Sequence, residues 1–181
     1  MSWFKKIRRP IEAIKEKASR VPEGLWVKCT GCSQLIYNKD LAASLNVCPK
    51  CSHHFRIDAT ERLRMLFDSG EWVEHDAALV STDPLGFSDT KPYKSRLAAS
   101  VETTGVQEGV IVGSGRIEGI ETVVAAQEYG FIAGSMGVVV GEKITRAIER
   151  AIERRCPLVI VCCSGGARMM EGTLSLMQMA K

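Results

Sequence analysis

Pro157-Leu-Val-Ile-Val-Cys-Cys163-Ser164-Gly-Gly-Ala-Arg168 is the stretch that decides the fold class of this 181-residue chain. Proline opens a continuous apolar run of the kind found in strands covered on both faces. The run stops at a tight Ser-Gly-Gly turn, and helical spacing resumes through Met170, Thr173, Leu174 and Met177. The same order appears upstream. Residues 142–155 read as a helix with Ile144, Ala147, Ile148, Ala151 and Ile152 on one face, following the small-residue loop Phe131-Ile-Ala-Gly134-Ser135-Met136-Gly137. Before that loop, 110–117 and 120–127 are β-rich runs around Glu118-Gly119, a hairpin. Strand, glycine turn and helix in repetition define an α/β fold. No stop signal precedes Lys181, so the last helix is expected to run to the end and the chain to be a fragment or one partner of a larger assembly.

Further toward the N-terminus, 81–95 is rich in Ser, Thr, Asp and Pro and reads as a connector, and 59–67 has the spacing of a short helix. A different module lies before it. Cys29-Thr-Gly-Cys32 and Cys48-Pro-Lys-Cys51 are two C-x-x-C turns separated by fifteen residues. Each turn aims two sulfurs at one point, and two such turns complete the closed Cys₄ set of structural zinc. Zinc is favoured over an iron–sulfur cluster by the paired spacing, and a redox pair would need a single C-x-x-C on a thioredoxin-like scaffold. His53 and His54 follow the fourth thiolate and read as residues beside the metal site or at the surface, not as ligands. A full set of four thiolates leaves no position for an activated water, so the metal is a staple and the function lies elsewhere. Cys156, Cys162 and Cys163 read as small core residues.

The charge is +3, with 45% hydrophobic residues. Residues 1–28 carry eight basic side chains against Glu12, Glu16 and Glu23, so the rest of the chain is slightly acidic. A basic leader of this kind reads first as a solvated tail, with nucleic acid as a secondary candidate partner. No apolar stretch approaches the roughly 20 residues that span a bilayer, and the first residues lack the apolar core of a signal peptide. The expected location is cytoplasmic.

Ser164-Gly165-Gly166-Ala167 at a strand-to-helix junction directs backbone N–H groups toward an anion. This has two readings: an oxyanion hole for a thioester enolate, or a turn required by packing. The only histidines are 53, 54 and 75, in or near the ribbon, so the α/β half is expected to lack a Ser–His–Asp set. It has no phosphate loop, and Gly113-Ser-Gly115 does not continue as G-x-G-x-x-G. Catalysis here would rest on backbone electrostatics, with proton transfer supplied from outside.

The run Gly134-Ser-Met-Gly137-Val-Val-Val-Gly141-Glu-Lys143, the turn Ser164-Gly-Gly-Ala-Arg168-Met, the run Glu171-Gly-Thr-Leu-Ser-Leu-Met-Gln-Met-Ala-Lys181 and the Met-Ser-Trp-Phe start, together with the Cys₄ ribbon, closely resemble the β subunit of bacterial acetyl-CoA carboxylase carboxyltransferase. The resemblance implies an incomplete crotonase-like spiral of ββα units preceded by the ribbon. It implies a leader at 1–24, the ribbon at 25–55 and the N-terminal part of a carboxyltransferase domain at 56–181. It implies transfer of the carboxyl group from carboxybiotin to acetyl-CoA, giving malonyl-CoA for fatty-acid synthesis. The partners implied are a carboxyltransferase α subunit in an α2β2 assembly, a biotin carboxyl carrier protein and an ATP-dependent biotin carboxylase. In that scheme the amides of Gly165 and Gly166 hold the enolate and the biotin anion takes the α-proton. Gly134, Ser135, Met136 and Gly137 are candidate substrate contacts, and Arg96 is a candidate by charge. Cys162, Cys163 and Met170 depart from residues common in the family, and family members run longer. The alternatives are another crotonase-fold acyl-CoA enzyme, which would leave the ribbon unexplained, and a nucleic-acid-binding zinc ribbon, which would leave the α/β half unexplained.

Overall fold

The structure is a computed structural model, and it describes residues 24–181. The basic leader lies outside the described residues, Gly24 apart. The chain divides into two compact units after Arg56.

In the first unit, β1 (Trp26–Lys28) and β2 (Leu35–Tyr37) pair antiparallel, Val27 opposite Ile36, and α1 (Asn38–Ala43) follows at once. Its buried core is Cys29, Ile36, Leu41 and Cys48, packed by Val27, Cys32 and Phe55. So small a core cannot offset the entropy of ordering the segment.

The second unit contains α2 (Ala59–Leu66), β3 (Val73–His75), α3 (Tyr93–Thr104), β4 (Val110–Ile117), β5 (Ile120–Gln127), α4 (Val138–Arg154), β6 (Leu158–Val161) and α5 (Thr173–Met177). Its sheet has the order β3-β4-β5-β6, antiparallel except for the parallel β5–β6 pair. Alternation along the central strands makes two cores. Val110, Val112, Val123 and Ala125 pack against Val140, Ala147 and Ala151 of α4. Ile111, Val124 and Ala126 pack on the other face against Ala59 and Leu63 of α2 and Phe67 just after it. Gly113 and Gly115 open that second face, since a Cβ would fall 2.5 Å from the Trp72 ring at one and 2.6 Å from the Phe67 ring at the other.

The hairpin lies where the pattern put it, with its turn at Glu118 (φ 50°) and Gly119 (φ 76°). Four expectations are corrected. The last helix ends at Met177 rather than Lys181. The 158–163 run is strand only to Val161 and is half exposed, because β6 is a sheet edge with β5 on one side only. Cys162 is exposed and Cys163 half-buried outside both cores, whereas Cys156, also half-buried, packs against the first core. His75 belongs to the sheet and not to the ribbon.

Candidate functional site

The two cysteine turns are built alike. Ser33 N–H donates to Cys29 O at 2.8 Å and Ser52 N–H to Cys48 O at 2.9 Å, and both serines take left-handed backbone, φ 60° and 58°. Gly31 is required by space, since its Cβ would meet His53 Cβ at 3.0 Å and Cys51 Sγ at 3.2 Å. All four sulfurs lie within 4.8 Å of one another, with Cys29–Cys51 at 3.7 Å and Cys32–Cys48 at 3.8 Å. A tetrahedron of Zn–S bonds of about 2.3 Å has edges of about 3.8 Å, so the donor set fits zinc. His53 Nε2 is engaged by Thr30 Oγ1 at 2.9 Å.

In the larger unit, the two loops singled out in sequence lie side by side. Met136 and Ala167 form a parallel bridge, with Met136 N–H donating to Gly166 O and Arg168 N–H to Met136 O, both at 2.9 Å. Gly134 packs against the Cys163 carbonyl with no room for a side chain, at φ 63°. Gly134, Ser135 and Met136 spend their amides on Phe131, Ile132 and Gly166 carbonyls. These residues form the wall behind the turn.

Gly165 corrects an expectation. Its N–H donates to Ala133 O at 2.8 Å and fixes the turn, so it is not free for an oxyanion. Gly166 is different. Its φ of +116° excludes side chains, nothing lies within 4 Å of where a Cβ would stand, and its N–H meets only the exposed Ser164 Oγ, at 3.1 Å. That hydroxyl can swing away and leave the amide to a ligand. Arg96 has local partners, the Asp89 carboxylate and Thr90 Oγ1, so its charge is answered within its own neighbourhood.

Beneath the turn is a buried cluster that pattern reading missed. Arg168 is fully buried. Its Nη2 donates to Glu108 Oε1 at 2.7 Å and Ser135 O at 2.9 Å, and its Nη1 to Ser81 Oγ at 2.9 Å and Tyr93 OH at 3.1 Å. Its Nε reaches Ser135 Oγ at 3.3 Å. Tyr93 OH donates to Glu171 Oε1 at 2.6 Å, and Glu171 Oε2 accepts Val138 N–H, also at 2.6 Å. A carboxylate thus caps α4 at the positive end of its dipole. Burial lowers the affinity of Arg168 for its proton, but the neighbouring Glu108 and Tyr93 more than restore it, and the net shift is upward. Burial and the bond to Glu171 push the Tyr93 phenol up, so it stays a neutral donor. Arg168 and Glu171 stood in runs that carry the family resemblance, though with no role assigned to either side chain; Tyr93 and Glu108 belong to no motif.

His75 Nε2 lies 2.8 Å from Ser114 Oγ, a Ser–His pair that the histidine count alone did not foresee. β3 is three strands from β6, about 14 Å in a sheet of ordinary spacing, so the pair is remote from the glycine turn. Burial, then Arg150 and Arg154, hold the imidazole below its ordinary 6.5. The unfolded chain therefore binds this proton more readily, and stability falls as pH drops through the region just below 6.5. A His75→Gln variant should show a flatter melting temperature between pH 7 and 5 in a thermal-shift series; parallel slopes would remove His75 as the cause.

Residues 58–181 match the carboxyl transferase domain and residues 26–51 the acetyl-CoA carboxylase zinc finger domain. Acetyl-coenzyme A carboxylase carboxyl transferase subunit beta of Citrifermentans bemidjiense is 50% identical over 181 residues, covering all of this chain and 64% of its own. That of Synechococcus sp. WH7803 is 48% identical over 99% of this chain and 62% of its own. This chain thus spans a little under two thirds of those relatives. Among solved structures, transcarboxylase 12S with methylmalonyl-coenzyme A bound is similar over 69% of this chain and 22% of its own, at TM-score 0.54 and 28% identity. A Pseudomonas malonate decarboxylase hetero-tetramer with malonate is similar over 78% and 48%, at TM-score 0.50 and 29% identity. No helix among the described residues is long and apolar enough to cross a membrane.

Proposed function

We propose, from the premise that this chain belongs to the carboxyl transferase domain family, that it carries the β-subunit half of a carboxyl transfer from carboxybiotin to acetyl-CoA, yielding malonyl-CoA. Its likeness to acetyl-CoA carboxylase β subunits extends along its whole length and includes their zinc finger. The family works in multisubunit biotin-dependent complexes. For this chain the partners are an α subunit in an α2β2 assembly, a biotin carboxyl carrier protein and a biotin carboxylase, acting in the cytoplasm. The domain limits that suit this reading are a leader at 1–24, the ribbon at 25–55 and the transferase domain from 56; the division after Arg56 lies within a residue of the last boundary.

One observation carries the reading: an N–H at Gly166 held only by the exposed Ser164 hydroxyl, on a left-handed backbone that favours glycine, with nothing within 4 Å of where a Cβ would stand. Removing the α-proton of a thioester places negative charge on its carbonyl oxygen. An N–H fixed beforehand stabilises that charge with no reorganisation. Carboxybiotin, when bound, supplies the carboxyl group and the base. The chain itself contributes the donor at Gly166, while Gly165, tied to Ala133, and the Gly134–Gly137 wall hold the turn. Cys29, Cys32, Cys48 and Cys51 hold zinc and take no part in the reaction. Arg96 is not carried forward as a coenzyme A contact, given its bond to Asp89.

The test combines the chain with α subunit and carboxybiotin and follows radiolabelled carboxyl into malonyl-CoA, with crotonyl-CoA hydration and RNA binding in parallel. Malonyl-CoA formation alone is expected. Hydration without carboxyl transfer would favour an enoyl-CoA enzyme, and salt-sensitive RNA binding without either would favour a nucleic-acid module.

A further inference from the structure

We propose that Arg168, Tyr93, Glu171 and Glu108 are positioning residues that fix the direction of the Gly166 N–H from beneath, without touching substrate. The inference rests on Gly166 being the oxyanion donor. The turn is exposed from Ser164 to Gly166, and nothing lies within 4 Å of where a Cβ would stand at Gly166. Its orientation must come from below. The bonds that hold it are Gly165 N–H to Ala133 O, Met136 N–H to Gly166 O and Arg168 N–H to Met136 O. All three run to the loop between Phe131 and Val138. That loop is itself set by Arg168, which grips Ser135 through both its carbonyl and its hydroxyl. It is set at its far end by Glu171, which receives the first amide of α4. Tyr93 joins the two grips, accepting from Arg168 and donating to Glu171. The guanidinium also reaches Glu108 before β4 and Ser81 in the connector.

The charges account for this arrangement. Two carboxylates face one guanidinium; the buried Lys143 ammonium also acts on Glu108, and the amides of Gly109, Ser81 and Val138 bond the carboxylate oxygens. Burying such a set is expensive, and an apolar cluster of similar volume would stabilise the fold as well or better. What an apolar cluster would lack is direction. Each N–H of a planar guanidinium has one acceptor geometry, so three bonds fix the guanidinium and two more hold Ser135 of the loop, where dispersion contacts would let it slide.

Tyr93→Phe tests this, because it removes one hydroxyl and no volume. In the chain alone, ¹⁵N-labelled glycine should show shifted Gly165 and Gly166 amide resonances, with folding and zinc content retained. In the assembled carboxyltransferase, kcat should fall by about tenfold or more, with KM for acetyl-CoA within about twofold, since an ångström of misplacement can cost about 10²-fold in rate. Arg168→Lys, which keeps the charge but loses the fork, should do the same or worse; if it does not fold, Tyr93→Phe decides alone. Unmoved glycine resonances with unchanged kcat would overturn the proposal, and so would a lowered melting temperature with both unchanged. Shifted resonances in an assembly whose wild type never forms malonyl-CoA would keep the network as a device that sets the turn, and would remove the carboxyltransferase reading instead.

Discussion

Replacing Cys29 by Ala is expected to unfold the ribbon, releasing its zinc, while the α/β unit stays folded. Structural zinc binding in small modules carries about 10–16 kcal/mol of apparent free energy, and that binding energy is the module's folding energy. Here the dependence is acute, because two of the four core residues of the ribbon, Cys29 and Cys48, are themselves ligands. Three remaining thiolates would lie within 4.8 Å of one another with no cation between them. The α/β unit has two cores of its own around Val112 and Val124 and needs none of this. Metal analysis should show less than one equivalent of zinc, and proteolysis should cut the 25–55 region first. A full equivalent of tightly held zinc in the variant would show that the ligand set is wrong.

Gly166→Val is the second large effect, and it acts on turnover rather than on folding. A β-branched residue at φ +116° is strained by about 1–3 kcal/mol, and the turn is expected to relieve that strain by rotating its peptide planes. Rotation swings the N–H away from the substrate side, and the new methyl groups enter the open space above it. Loss of one oxyanion donor costs about 10²–10³ in kcat elsewhere, and the added obstruction deepens the loss, so turnover in the assembled enzyme should be undetectable. Zinc content and melting temperature should change little, because the site is exposed and nothing packs on it. Turnover within tenfold of wild type would end the assignment of Gly166 as a donor. Gly165→Ala should behave differently. Its Cβ would sit 3.3 Å from both Ala133 Cβ and Ala133 O, so it presses on the wall and disturbs the turn through packing.

The ribbon, the hairpin and the glycine turn were legible because each depends on residues close in sequence. A C-x-x-C turn brings its own two sulfurs together, and Glu118-Gly119 supplies the positive φ values that its two-residue turn demands. α3 was missed because Tyr93 is its one buried residue, so it has no apolar stripe to reveal a period. β3 was missed because three residues at a sheet edge carry too little alternation to read. The half exposure of β6 was hidden for a similar reason, since an apolar run does not say how many neighbours it will have.

The sequence by itself determined the cysteine ligand set, the α/β class and the place of the glycine turn. Local backbone chemistry and sulfur–metal affinity act over a few residues, and a one-dimensional pattern records them. Only the tertiary structure decided which amide of the pair is available and what aims it. Gly165 and Gly166 are equivalent as letters, yet one N–H meets the Ala133 carbonyl and the other only the exposed Ser164 hydroxyl. Arg168 meets Tyr93, Glu108 and Ser81 across 75, 60 and 87 residues of chain. Hydrogen bonds of that kind depend on ångström placement after the strands and helices have packed, and no spacing rule carries that information.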